Sequence, residues 1–193
     1  MKIFKFGGAS VKDVDGVRNI LSVLKHTGFD NTLIVVSAMG KTTNALENVV
    51  HSYFENKEQF PKKLEAVRSY HHQIIAGLFS EEKVLVTEKI DSLFDGALGF
   101  LFDNTVDNYS LVYDQVVSIG ELVSSTIISY YMRHEDIENK WLDARKCVKT
   151  DTYYRDANLD WEKTKTEILT MVKGNSTLTV SYTHLTLPTK QDV

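Results

Sequence analysis

Thr32-Leu-Ile-Val-Val36, running directly into Ser37-Ala-Met-Gly-Lys-Thr-Thr-Asn44, decides how this 193-residue chain is read. Five apolar or β-branched residues in succession form a strand buried on both faces, the kind found in parallel sheets covered by helices. Upstream, Lys2-Ile-Phe-Lys-Phe6 alternates, with Ile3 and Lys5 on one face and Phe4 and Phe6 on the other, and Gly7-Gly8 stops it. Between the two strands, Val14, Val17, Leu21 and Leu24 fall at helical spacing with Asp13 as the cap, and His26-Thr-Gly-Phe-Asp-Asn31 turns the chain. Strand, helix, strand predicts an α/β sheet.

The segment after the second strand contains Gly40-Lys41-Thr42, the closing letters of a phosphate-binding P-loop. Such a loop needs a glycine five positions before the Gly-Lys pair, so that its N–H groups can wrap the phosphates; position 35 is Val, and the reading fails. From Asn44 to about Met132 the spacing is helical, as in Leu46, Val49, Val50, Tyr53 and again in Val67, His71, Ile74, Leu78, with Pro61 at a helix start. Trp141-Leu-Asp-Ala-Arg145 reads as a third strand and Trp161 to Val172 as a further helix.

Composition bounds the function. A net charge of -4, with no Lys/Arg run longer than two, argues against a nucleic-acid surface. The single cysteine, Cys147, excludes an internal disulfide, no apolar run approaches a membrane span, and the expected compartment is the cytoplasm. Adjacent His71 and His72 point about 100° apart on a helix and cannot share a metal; they read as helix surface and core edge, and no metal site is expected.

Three places carry candidate chemistry. At Lys5-Phe6-Gly7-Gly8, two glycines let backbone approach a ligand, following N–H groups face an anion, and Lys5 supplies a point charge; the same residues also fit a plain glycine turn beside a solvent-facing lysine. Ser37, Thr42 and Thr43 put three hydroxyls where a helix begins, more than capping alone requires. In Ser118-Ile-Gly-Glu121-Leu-Val-Ser124-Ser125 a helix would place Glu121 on one face with small residues, as a ligand for an ammonium group or simply as a solvated glutamate. Asp143, with Arg145, stands at a strand end, where ligand loops of α/β sheets gather.

Taken in order, Lys5-Phe-Gly-Gly-Ala-Ser-Val11, Val35-Val-Ser-Ala-Met-Gly-Lys-Thr-Thr-Asn44, Ser118-Ile-Gly-Glu-Leu122 and Leu142-Asp-Ala-Arg-Lys-Cys-Val-Lys-Thr-Asp151 resemble the motifs of aspartokinases over residues 1 to about 173. Ala9 departs from the Thr or Ser usual there. The resemblance implies an amino-acid kinase (carbamate kinase-like) three-layer sandwich with a mostly parallel sheet. It implies ATP-dependent phosphorylation of the side-chain carboxylate of L-aspartate, the first step toward lysine, threonine and methionine, with Mg2+ carried on ATP and a homo-oligomeric full-length protein. By the same resemblance Lys5, Phe6, Gly7 and Gly8 bind ATP, with Lys5 reaching the transferred phosphoryl group, while Ser37 and Thr43 contact aspartate and Glu121 takes its α-ammonium. A glutamate kinase and a non-catalytic ligand-binding module are the alternatives.

Aspartokinases continue with a strand into a glycine-rich loop, then an Arg-Gly-Gly-Ser-Asp segment contacting both substrates, the adenine side of the site and regulatory ACT domains. This chain instead ends in the Thr/Leu-rich stretch 174–193. The expectation is a C-terminally truncated kinase domain over 1–173 with an atypical, foreign tail over 174–193 and little activity of its own. A short final strand carried by Leu178, Val180 and Tyr182 is the alternative.

Overall fold

The computed structural model describes residues 1–173 and 177–181. Strand β1 (Lys2–Phe6) is followed by a single 3-10 turn (Gly8–Val11), α1 (Val14–Thr27) and β2 (Thr32–Val36). Five helices follow: α2 (Thr42–Glu55), α3 (Phe60–Leu78), α4 (Lys83–Asp103), α5 (Tyr109–Val117) and α6 (Ile119–His134). The chain then returns to the sheet as β3 (Lys140–Leu142), crosses α7 (Trp161–Val172) and ends its described part in β4 (Thr177–Ser181). The helix starts follow the sequence: Asp13 accepts from Gly16 N at 2.8 Å, Asn108 from Leu111 N and Asp160 from Lys163 N at 3.0 Å each, and Pro61 lies in the first turn of α3.

All strand pairs are parallel, in the order β1-β2-β4-β3. The register sets Lys5 beside Val35, Val35 beside Val180 and Val180 beside Leu142. The steps from β1 to β2 and from β2 to β3 run one way across the sheet and the step from β3 to β4 runs back, so right-handed crossovers place α1 and α6 on one face and α7 on the other. Side chains agree: Thr179 donates to Met132 Sδ on α6, whereas its neighbour Leu178, fully buried, points to the opposite face. Phe4 and Phe6 pack into the helical core and Ile3 and Lys5 face away, Ile3 being 67% exposed.

The core lies between the helical face of the sheet and α1 to α6, and includes Ile34, Val36, Leu46, Val50, Ile75, Phe94 and Ile127. Residues 109–134, α5 and α6 together, are long and apolar enough to cross a membrane, yet 72% of that apolar window is buried within the protein, as suits helices on which others pack.

Part of the stretch set apart as a tail, Thr177–Ser181, lies within the sheet. Thr177–Ser181 forms β4, hydrogen-bonded between β2 and β3, with Thr177 Oγ1 donating to Phe29 O at 2.8 Å. The alternation of Leu178 and Val180 was the informative signal, and polar composition misled because β4 turns Thr177, Thr179 and Ser181 inward to hydrogen-bond partners. The remainder of the expected tail, 174–176 and 182–193, lies outside the described residues. Leu178→Ala is expected to cost about 2–5 kcal/mol, read as a lowered urea midpoint; a dispensable tail would leave the midpoint unchanged.

Candidate functional site

The candidate site gathers at the carboxyl ends of the parallel strands, where ligand sites of such sheets form. Its centre is the junction of the loops after β1 and β2. Gly40 N donates to Gly8 O at 2.9 Å and Ser37 N to Phe6 O at 3.0 Å, so the ladder between the strands continues into the loops. A Cβ on Gly8 would stand 2.6 Å from Ala38 O, so the close approach of the two backbones requires a glycine there. Gly40 has φ +55°, with Tyr70 Oη where a Cβ would go. The Tyr70 hydroxyl donates to Lys12 O and so ties α3 to the chain beyond the glycine turn.

The N-terminus of α6 closes against this junction. A Cβ on Gly120 would lie 3.0 Å from Ala38 Cβ and 3.1 Å from Thr42 Cγ2, and Ser124 Oγ donates to Ser37 O at 2.7 Å. Glu121 thus sits in the first turn of a helix pinned to the Ser37 loop, and is 2% exposed. This corrects the solvated alternative for Glu121: every residue of α6 from Ile119 to Ser129 is buried, and the positive end of the helix dipole favours a carboxylate there.

Two local expectations change. The N–H groups following Gly7-Gly8 belong to the 3-10 turn, where Ser10 N bonds to Gly7 O, and α1 begins only at Val14 under the carboxylate of Asp13. The N–H groups after the glycines therefore belong to the turn and not to the end of α1. The capping explanation for the hydroxyls after β2 fails, since Lys41 precedes α2 and no side chain caps it. Ser37 and Thr43 are half-buried, and Thr42 is buried against His71.

Lys5 projects from β1 on the face away from α6, exposed, two residues before Gly7. The described contacts join Phe6, Gly8, Ser37 and the helix of Glu121 directly, with Lys5 and Gly7 adjoining them along the chain. Asp143, at the end of β3, is gripped by Arg145 through Nε and Nη2 at 2.7–3.2 Å. Burial pushes its pKa up, but hydrogen bonds and charge from Arg145 outweigh that and hold the carboxyl below the usual range. Ser181 Oγ accepts from Ala144 N at 3.2 Å and links this corner to β4.

His71 is the residue whose role sequence spacing missed. It lies in the core, its Nδ1 2.8 Å from Val67 O and its Nε2 3.4 Å from Thr42 Oγ1. The carbonyl partner assigns the proton to Nδ1, which leaves Nε2 to accept from the Thr42 hydroxyl. Its helical spacing with Val67 and Ile74 was the available signal; adjacency to His72, which pairs with Asp91 at 2.8 Å, obscured it.

A parallel α/β sheet whose strand ends carry a glycine turn, a hydroxyl loop and a buried glutamate places the chain in the class of doubly covered parallel-sheet proteins. A match to the amino acid kinase family model extends over residues 1–184, and the chain belongs to that family. Among curated relatives it is 28% identical over 156 residues to bifunctional aspartokinase/homoserine dehydrogenase 2 of Escherichia coli, covering 78% of this chain and 18% of that protein. It is 27% identical to lysine-sensitive aspartokinase 3 of Escherichia coli (82% and 34% covered) and 26% identical to chloroplastic aspartokinase 1 of Arabidopsis thaliana (78% and 27%). The crystal structure of Escherichia coli aspartokinase III with lysine and aspartate superposes with a TM-score of 0.79 at 24% identity, over 93% of this chain and 40% of that one; a second, with aspartate and ADP, gives 0.78. The chain therefore spans between about a fifth and a third of the length of these curated relatives.

Burial holds His71 neutral, with its pKa lowered to about 4. The unfolded chain takes up the proton near pH 6.5 and the folded one only near pH 4, so stability falls as pH is lowered through that window, by on the order of 3 kcal/mol. Urea midpoints measured from pH 7 to 4 should show this slope, and His71→Gln should flatten it.

Proposed function

We propose that this chain carries the phosphate turn and the amino-acid pocket of an ATP-dependent aspartate kinase. The observation that carries the reading is the junction itself: the Gly7-Gly8 turn, the Ser37–Thr43 loop and the first turn of α6 are fastened by the Gly40–Gly8 and Ser124–Ser37 hydrogen bonds. One substrate can lie on the turn while the other lies against the hydroxyls.

In this reading Lys5 and the backbone of Phe6, Gly7 and Gly8 bind the ATP phosphates, Lys5 as a point charge on the transferred group. Ser37 and Thr43 hydrogen-bond the amino acid, and Glu121 receives its α-ammonium, an ion pair strengthened by the low dielectric around α6. The acceptor carboxylate, with an ordinary pKa near 3.9, is already ionised at neutral pH and needs no general base. Its oxygen attacks the γ-phosphorus, the bond to the bridging oxygen breaks, and ADP leaves with the electron pair. The barrier lies in bringing an anion to a polyanion, so catalysis is positioning plus cations. Among the described residues no group of three His, Cys, Asp or Glu side chains could hold a metal, and in this proposal Mg2+ enters on ATP as part of the substrate.

Aspartate is preferred over glutamate because both aspartokinase III structures named above hold aspartate and the curated relatives carry aspartokinase names. Calorimetric titration with ATP and with L-aspartate tests binding, and aspartyl-hydroxamate formation tests turnover. Where turnover is measured, Lys5→Ala is expected to reduce it at least about a hundredfold, some 2.7 kcal/mol of barrier. An unaffected rate would remove Lys5 from the chemistry, and binding of glutamate in preference to aspartate would reassign the substrate.

A further inference from the structure

Of the three hydroxyls between β2 and α2, that of Thr42 is turned inward, on a residue 2% exposed. Its two branches meet different helices. Oγ1 lies 3.4 Å from His71 Nε2 on α3, and Cγ2 packs so close to Gly120 on α6 that a Cβ there would stand 3.1 Å away. Thr42 is also the first residue of α2, so it wedges the start of that helix between two others. The next residue in each direction belongs to the reading above: Thr43 follows Thr42, and Glu121 follows Gly120.

His71 has no accessible surface, and the rings of Tyr70 and Phe94 stand 5.0 and 5.8 Å from its own, centre to centre. Filling that space needs no nitrogen, and an apolar side chain would fill it without the cost of desolvating an imidazole. With Nδ1 donating to Val67 O, what the imidazole adds is one acceptor aimed at Thr42. Threonine in a helix divides between two χ1 rotamers, so a fixed acceptor selects one of them. The rotamer selected here is the one that turns the methyl toward Gly120.

The same stretch of α3 holds the loop at a second point. The Tyr70 hydroxyl stands 2.8 Å from where Gly40 would carry a Cβ, and donates to Lys12 O. Two consecutive residues of one helix therefore reach Gly40 and Thr42, at either side of Lys41.

We propose that His71 is a positioning residue of the amino-acid pocket: it accepts the Thr42 hydroxyl, holds the start of α2 against Gly120, and so sets the separation of Thr43 from Glu121. The proposal rests on the reading of Thr43 and Glu121 as the contacts of the amino acid. His71 itself touches no substrate. Its effect falls on the amino acid and not on ATP, because the Gly7-Gly8 turn keeps its own bonds, Ser37 N to Phe6 O and Gly40 N to Gly8 O.

Three variants of the full chain separate positioning from packing. Thr42→Val and His71→Leu each leave one buried polar group without its partner, whereas the double substitution replaces both partners by apolar groups and restores stability. The urea midpoint is expected to fall in each single variant and to recover in the double one. The dissociation constant for L-aspartate, by calorimetry, should remain weakened about fivefold or more in all three, with that for ATP within about twofold of the wild type. A residue that only packs would let affinity recover together with stability, and that result would overturn the proposal. His71→Gln, which can offer an amide oxygen near the place of Nε2, should bind aspartate more tightly than His71→Leu, and equal weakening would count against the acceptor. Hydrogen exchange without ligand frees the test from the choice of substrate: amides of residues 39–46 and 119–123 should exchange faster in the double variant than in the wild type, with those of α1 unchanged. If the wild type binds no aspartate while this difference is present, the substrate reading falls and the positioning of the α2 start stands. Equal exchange in the two proteins overturns the positioning, whatever ligand binds.

Discussion

The hydrogen bond from Gly40 N to Gly8 O is the constraint around which the site is organised. Parallel strands bring loop starts side by side, but their loops normally diverge because each carries side chains. Here the backbone of Gly8 meets Ala38 O at a separation no Cβ tolerates, and Gly40 takes a left-handed conformation beneath the Tyr70 hydroxyl. With both positions cleared of side chains, the loops behave as one surface. Gly120 repeats the device from the third direction, letting α6 approach close enough for Ser124 to reach Ser37 O.

Much of this was legible in the sequence because it rested on local rules. The apolar run of Thr32–Val36, the cap at Asp13 and the helical spacing through α2 and α3 gave elements that the structure keeps, with α7 matching from Trp161 to Val172. The short strand β3 was overextended, since Asp143 turns the chain by accepting from Arg145 N and starts a 3-10 turn. Of the site, the glycine turn, the hydroxyl loop and the glutamate could be found as motifs. Their mutual contact could not, because it depends on tertiary closeness between residues 37 and 124.

What stayed hidden shares a physical cause. Buried polar residues look the same in a sequence as solvated ones until their partners are known. Glu121 read as a surface residue by type, His71 as an edge residue by its neighbour, and Thr177, Thr179 and Ser181 as tail composition; all five are buried.

The strand order also governs how the molecule is made. β4 lies between β2 and β3, and β3 pairs only with β4 among the described residues, so the sheet is discontinuous until the last of these strands emerges. From Val36 to Thr177 is 141 positions, and a ribosome adding about 5–20 residues per second takes roughly 7–28 seconds to cover them. During that interval β1 and β2 can pair and the helices can collapse, while the outer flank of β2 stays open. A nascent copy of this chain thus carries an unpaired, strongly apolar edge while those residues are added, a window in which chaperone holding and translation speed decide how much of the product reaches the native sheet.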